Sequence, residues 1–356
     1  MSRPLWILLI LSLSTGCASL ISSATTRMAD NISLAILNQD DPATVRDGAP
    51  AYLLMIDGLI EGDPENTGLL LTGARLYGSY AGAFIEEESR AQRLAGKSLL
   101  YARKALCLQN ASACAASEDR LDVFKPALAA TGKSGLAALY AYGVAWASWV
   151  QINSSDWNAV ADLAKIEALF ERCIELDESH DGGGAHVYLG VIKSLRPAAL
   201  GGKPELARRH FERAIDISGG ENLMVKVLMA KHYARNVFDQ ELHDSLLVAV
   251  KAAAADYSDY TLINSLAKLE ADRLLAESAD FFRKLLPNQR LQSSISGFHL
   301  EQIRKDIRPG YCVAYYQHRY PCKDAQNSNA RAGRHDLDER NEGRSQIDKA
   351  AYRRSG

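Results

Sequence analysis

The sequence predicts an all-α protein in which tetratricopeptide-like helical hairpins repeat to form a solenoid or bundle, followed by a C-terminal tail predicted to be disordered. Strand-like runs with alternating apolar residues do not recur, whereas Ala, Leu, Glu, Lys and Arg recur at helical spacing. A repeat of about 34 residues, the tetratricopeptide length, runs through the chain. Turn-forming clusters separate the helical stretches at Asp40–Pro42, Gly62–Asn66, Asp181–Gly184, Gly201–Pro204 and Gly219–Gly220.

The charge of the chain is divided unevenly between a body and a tail. The 356 residues carry a net charge of −2, and 47% of them are hydrophobic, which excludes a polytopic membrane protein, a collagen and a disordered chain. Residues 1–282 contain 26 Lys and Arg against 35 Asp and Glu, a net of −9. Residues 283–356 contain 15 against 8, a net of +7. The chain is therefore an acidic body with a basic tail.

Residues 1–16 have the features of a lipoprotein signal peptide. After a short positive start, the apolar run 5–13 is too short to span a bilayer, which needs about 20 residues. Small residues precede Cys17, the predicted site of lipidation. Ser14 stands where this motif prefers Leu, so a plain signal peptide is the alternative. Ala18, in place of Asp, favours the periplasmic face of the outer membrane, and we expect a lipid-anchored protein that does not span it.

Two further segments complete the body. Residues 17–48 are interpreted as the lipid anchor and an N-terminal helix, and residues 49–282 as the helical-repeat domain. Small and apolar residues recur at tetratricopeptide offsets, because each hairpin leaves an apolar face that its neighbour covers. An irregular α-bundle is the alternative. The matching residues are Tyr52, Ile56, Leu59 and Pro64; Leu70, Gly73, Ala74 and Tyr77; Ile166, Phe170 and Cys173; and Ala207, Phe211 and Ala214.

Cysteine usage agrees with export to an oxidising compartment. Cys107 and Cys114 lie on either side of a break between two helical patterns, so a disulfide can join them. No second Cys or His pair stands at ligand spacing nearby, which argues against a metal site. Cys173 occupies an apolar helical position and is predicted to be a small buried residue.

An ordered series of short motifs carries a family resemblance. The motifs are Ala49–Leu54, Asp57–Ile60, Gly62–Asn66, Leu76–Tyr77, Tyr80–Phe84, Trp146–Trp157, Glu175–Glu178, Gly183–His186, Tyr188–Gly190, Ser194–Pro197, Leu200–Glu205, His210–Ala214 and Glu241–Asp244. Together they resemble the T-component (TatT-type) lipoproteins associated with TRAP transporters. The likeness covers roughly residues 15–282.

The resemblance implies a periplasmic, lipid-anchored, helical-repeat protein that forms a homotrimer. It further implies docking to the periplasmic solute-binding protein of a TRAP transporter, and an apolar pore or cleft for a hydrophobic or organic-acid ligand. No reaction is implied, and we expect no cofactor, no metal and no nucleic-acid partner. The alternatives are a structural lipoprotein that scaffolds a cell-envelope assembly without binding a ligand, and an envelope hydrolase with an unrecognised site.

Two aromatic stripes and two loop cations are the candidate ligand-binding residues. Each stripe shares one helix face, and against a cleft it would form an apolar wall with a few polar groups. Packing between repeats uses the same residues at the same spacing, and we favour that interpretation. The loop cations could bind a carboxylate, although solvated surface charge is the commoner outcome. The candidates are Tyr77, Tyr80 and Phe84; Tyr142, Trp146 and Trp149; and Arg196 and Lys203.

Signatures of catalysis are absent where they can be tested. The segments 96–98 and 132–134 end like a phosphate-binding loop, but Ala91 and Ala127 stand where the first glycine is required. The sequence contains no His-Glu-x-x-His and no Gly-x-Ser-x-Gly motif. We therefore predict that the protein is not an enzyme.

The segment Asp181–Gly184 looks like a binding loop, although glycine after a helix is the usual stop signal. His180 and His186 lie beside it and are expected to be surface or capping residues. Residues 283–356 lose helical periodicity and are rich in Arg, Gln, Ser and Asn, which departs from the family. We predict a disordered tail or one translated out of the ancestral frame, and a basic interaction arm is the alternative.

Overall fold

A computed structural model describes residues 24–195, 198 and 202–294, with side chains up to residue 283. This described part is helical and contains no strand, which confirms the all-α prediction. The signal peptide, Cys17 and Arg196 lie outside the described residues, as does the tail beyond residue 294.

The first helices are α1 (24–37), α2 (Pro42–Gly62), α3 (Thr67–Phe84), α4 (Glu88–Gln109) and α5 (Ala111–Ala116). The first two turn clusters predict where α2 begins and ends and where α3 begins. Asp41 caps α2 by accepting from the backbone N–H groups of Ala43 and Thr44, and Asn66 caps α3 by accepting from Leu69. Asn110 ends α4 and caps α5.

The middle of the chain alternates short and long helices. A left-handed turn opens α10, where Asp181, Gly182 and Gly183 have φ values of 52°, 63° and 81°. Positive φ at three successive residues reverses the chain after α9, so this segment serves as the stop signal. The elements are α6 (Leu121–Ala129), a 3₁₀ turn (Lys133–Gly135), α7 (Leu136–Ile152), α8 (Trp157–Ala161), α9 (Leu163–Asp177) and α10 (His180–Ser194).

The last helices include a π-helical segment at Met229–Ala234 that directly follows α12. The final helix, α14, continues to Ser294, past Phe282, where helical periodicity is predicted to end. A helix boundary therefore does not separate the predicted body from the predicted tail. The elements are α11 (Pro204–Ile217), α12 (Leu223–Leu228), the π segment, α13 (Gln240–Ala252) and α14 (Thr261–Ser294).

The longer helices pack on their neighbours along the chain. Contacts join α2 to α3, α3 to α4, α4 to α7, α7 to α9, α9 to α10 and α10 to α11. Small residues allow close approach: a Cβ added at Gly190 of α10 would lie 3.0 Å from the ring of Phe211 of α11. Phe211 is fully buried, as are Phe170 and Cys173, which stand at predicted repeat positions.

The start of α14 leaves this sequential order and returns to the first helices. Leu262 is buried in the same hydrophobic cluster as Ala29 of α1 and Ile56 of α2. The backbone N–H of Asp259 donates to Oδ1 of Asn38, 2.8 Å away. The first and last described segments of the body are therefore in direct contact.

A covalent link ties α4 to α5. The Sγ atoms of Cys107 and Cys114 are in bonding contact, and the two Cα atoms are 4.9 Å apart, within the usual range for a disulfide. The bond spans Asn110, which ends α4 and caps α5. Cys173 is buried and free, and burial raises the pKa of its thiol to about 12.

Candidate functional site

One carboxylate on α2 joins three helices through a partly buried polar network. Asp57 accepts hydrogen bonds from Tyr77 of α3 and from Tyr101 of α4, each 2.7 Å long. The ammonium of Lys97, on α4, forms an ion pair with the same carboxylate. We name these four residues the Asp57 cluster. It contains one predicted residue, Tyr77, together with three that sequence reasoning missed.

The electrostatics of the Asp57 cluster keep its donors protonated. Burial and the hydrogen bond to Asp57 raise the pKa of Tyr101 to about 12, and the same two causes raise the pKa of Tyr77. Burial opposes the charge of Lys97, but the hydrogen bonds and charge interactions with Asp57 and Tyr101 together outweigh it and raise the pKa of the ammonium. The ammonium also lies 4.9 Å from the ring centroid of Tyr77. At neutral pH, both phenols therefore donate to the carboxylate of Asp57, which also pairs with the ammonium of Lys97.

The first aromatic stripe packs into the core of the N-terminal helices. Tyr77 and Tyr80 are buried, and Phe84 is half-buried. The hydroxyl of Tyr80 donates to the backbone oxygen of Arg46, 3.1 Å away, and its ring lies 5.8 Å from that of Phe84. The structure places this stripe where repeat packing would place it. Contact with a ligand stays a prediction.

The second aromatic stripe lies in a different hydrophobic cluster, around α7. Tyr142 and Trp146 are buried, with ring centroids 5.1 Å apart. The indole N–H of Trp146 donates to Oδ2 of Asp162 over 3.3 Å. Trp149 is half-buried and packs against Gly96 of α4, where an added Cβ would lie 3.3 Å from the indole. The structure therefore does not bring the two stripes into one wall.

Of the two predicted loop cations, only Lys203 lies in the described part of the chain. Lys203 is exposed immediately before α11, and Arg196 lies outside the described part. The glycine-rich segment nearby is fixed by a polar contact, since the hydroxyl of Tyr140 donates to Oδ2 of Asp181 over 2.7 Å. Tyr140 is buried, and burial together with the charge of Asp181 raises its pKa.

A histidine pair joins α10 to α11. The Nδ1 atoms of His186 and His210 are 2.9 Å apart, so one ring must donate to the other. His186 is only 7% exposed, which corrects the expectation of a surface position. Its Nε2 lies 3.5 Å from the carboxylate of Glu178, which also binds Arg213. Burial, then the nearby positive charges, lower the pKa of His210 to about 4, and burial lowers the pKa of His186.

A second buried network joins the end of the π segment to α13 and α14. Nε of Arg235 donates to Nε2 of His243 over 3.2 Å, and Nδ1 of His243 lies 2.8 Å from Oδ1 of Asp244. The hydroxyl of Ser278 donates to the same carboxylate oxygen over 2.6 Å. This arrangement needs a neutral His243, consistent with burial lowering the pKa of that ring. Arg235, His243 and Ser278 are buried, whereas the side chain of Asp244 is partly exposed.

The described residues offer neither a metal site nor a membrane-spanning helix. Within 24–195 and 202–283, no group of three or more His, Cys, Asp or Glu side chains is arranged to hold a metal ion. In the same part of the chain, no helix combines the length and the apolarity needed to cross a bilayer.

Comparison with known families matches residues 38–282 to TAtT, the TRAP transporter T-component. The chain belongs to this family. The family is a transporter component, and the chain is therefore a part of a TRAP system. The match confirms the resemblance drawn from the motifs and covers both polar networks, both aromatic stripes and the histidine pair. No curated protein matches the chain.

Proposed function

We propose that this T-component is a periplasmic lipoprotein that docks the solute-binding protein of a TRAP transporter and passes a hydrophobic or organic-acid ligand. The observation that carries the proposal is the family match over residues 38–282. The protein acts by binding and has no catalytic role. The packing of the longer helices on their neighbours along the chain supports docking, because stacked helices present extended surfaces to a partner.

The proposal includes a lipid anchor at Cys17 and a homotrimer on the outer membrane. The apolar run 5–13 and the small residues before Cys17 support the anchor. Mass spectrometry of the protein from the membrane fraction should show an acylated N-terminal Cys17, and Cys17→Ala should release the protein into the periplasm.

The homotrimer is tested separately. Sedimentation equilibrium should give the mass of three copies of the chain, and the mass of a monomer would contradict the trimer.

A second candidate function is that of an envelope scaffold that binds no small molecule. The observation in its favour is that Tyr77, Tyr80, Tyr142 and Trp146 are buried in hydrophobic clusters. In that case the aromatic stripes stabilise the helical body and line no cleft.

In vivo crosslinking distinguishes the two functions. The full chain is crosslinked in the periplasm, and the captured partners are identified by mass spectrometry. Recovery of a TRAP solute-binding protein supports docking. Recovery of outer-membrane assembly proteins without any solute-binding protein would overturn it and support the scaffold.

We also propose that the bond between Cys107 and Cys114 is present in the mature protein. Closing such a short loop contributes about 2 kcal/mol to stability. Peptide mapping without reduction should recover the linked pair, and Cys107→Ser should lower the unfolding free energy by that amount. Recovery of both residues as free thiols from the periplasm would contradict the proposal.

A further inference from the structure

The outer side of α4 carries an unusual set of residues. Between Arg90 and Leu108, every exposed position holds a cation or a leucine, and none holds an acid. The spacing of three or four residues places them on one side of the helix. Lys97 lies in the same row and is half-exposed. We name this row the α4 face; it consists of Arg90, Arg93, Lys97, Leu100, Lys104 and Leu108.

The opposite side of α4 fixes the direction in which this face points. Ala95, Ala102 and Ala105 are fully buried, and α4 packs on α3 and α7. The α4 face therefore points away from the core. Leu100 is 61% exposed and Leu108 is 44% exposed, although leucine is normally among the most buried residues.

Most of the positive charge on the α4 face is available to a partner. Arg93 lies 3.9 Å from Glu87, and both side chains are more than 60% exposed, so solvent weakens this pair. Only Lys97 is held in the Asp57 cluster. On α2, Leu54 is 73% exposed one turn before Asp57, whose carboxylate pairs with Lys97 of this face. A cationic, leucine-bearing surface thus lies on a body whose net charge is −9.

We propose that the α4 face binds an acidic surface of the TRAP solute-binding protein, with Leu100 and Leu108 as apolar anchors between the cations. The inference rests on the proposed docking function and names the surface that performs it. The row is about 27 Å long at 1.5 Å per residue, which suits one side of a standard protein interface. Opposite charges on the two surfaces accelerate their encounter and fix their register, and leucines that lose contact with water on binding supply affinity.

Two other occupants fit the α4 face less well. A flat anionic membrane would cover the exposed acids Glu86, Glu87 and Glu88 directly before the face together with its cations, whereas a protein partner can present its acidic groups to the cations alone. Only two leucines project along the row, whereas a helix that inserts into a membrane interface needs a continuous apolar side. A second copy placed α4 against α4 would bring like charges together.

Binding measurements with the full chain and the purified solute-binding protein of its TRAP system test the proposal. The double variant Arg93→Glu with Lys104→Glu should raise the Kd at least about tenfold and make it less dependent on salt concentration. The double variant Leu100→Ser with Leu108→Ser should also raise the Kd about tenfold. The matched controls are Lys125→Glu on α6 and Leu269→Ser on α14, both exposed. They should stay within twofold of wild type, and circular dichroism should show that all variants are folded.

The outcomes separate this inference from the proposed function. If the wild-type chain does not bind the solute-binding protein, the proposed function fails and this inference falls with it. If wild type binds and the α4 variants bind equally well, the docking function stands but the α4 face is not the docking surface. If the α4 variants still bind the solute-binding protein but no longer float with phosphatidylglycerol-containing vesicles, the α4 face binds a membrane. If they still bind the solute-binding protein but no longer form trimers, the α4 face binds a second copy of the chain. Either of these last two results overturns the inference.

Discussion

The side chain of Asp57 joins α2 to α3 and α4, a role that its position in the sequence does not reveal. Its side chain is 23% exposed and is held by an ammonium and two phenols. A half-buried carboxylate loses hydration, and these three donors restore it. Removing the acceptor leaves Tyr77, Tyr101 and Lys97 without their shared partner, and an unsatisfied buried donor costs more than a made hydrogen bond contributes.

Asp57→Ala should lower the unfolding free energy by about 2 kcal/mol because three donors lose their acceptor. Urea denaturation followed by circular dichroism measures it. The matched control is Glu61→Ala, an exposed acid one turn further along α2, which should change stability by less than about 0.5 kcal/mol. Equal stabilities for the two variants would show that the Asp57 cluster contributes nothing to the fold.

At the scale of the element, the contact of α10 with α11 depends on two neutral histidines. The two rings share a hydrogen bond between Nδ1 atoms, which a doubly protonated pair cannot make. The charged groups around the pair come from α9, α10 and α11, and the positive ones further oppose protonation. They are Glu167, Glu178, Lys193, Arg209 and Arg213.

This pair should make stability fall as the pH is lowered from about 6.5 to about 4. The folded pKa of His210 is about 4, below the value near 6.5 of the unfolded chain. Because the unfolded state binds more protons in that window, the contribution is complete above pH 6.5 and is lost on acidification. The free energy of unfolding differs between pH 7 and pH 4, and His210→Gln should reduce that difference by about 2 kcal/mol. His180→Gln serves as the matched control in the same urea titrations. A curve for His210→Gln parallel to that of wild type would refute the role of the pair.

At the scale of the whole molecule, the contact between the first and last described segments sets how the body unfolds. In a linear repeat array, each unit touches only its neighbours, so parts of it can unfold separately. Here Leu262 packs among the N-terminal helices, and Asp259 bonds to Asn38. The body should therefore unfold in one cooperative transition.

Leu262→Ala should destabilise the body by about 2–4 kcal/mol, since it leaves a cavity where α14 meets the first helices. Leu269→Ala, at an exposed position of the same helix, should cost less than about 0.5 kcal/mol. Calorimetry and tryptophan fluorescence should give coincident midpoints for wild type. Two separate transitions in wild type would mean that the α14 contact does not couple the ends.

The sequence by itself determined the helices, several of their ends and the family. These features depend on local chemistry: capping side chains at Asp41, Asn66 and Asn110 satisfy N–H groups of their own helices. Helical periodicity also showed that Tyr77 and Tyr80 share a face.

Only the tertiary structure decided what each face meets. It placed Tyr77 against Asp57 and His186 against His210, and it returned α14 to the first helices. These partners are 20, 24 and 221 residues apart in the chain. Periodicity fixes which residues share a side of a helix, but the element that covers that side depends on how the whole chain packs.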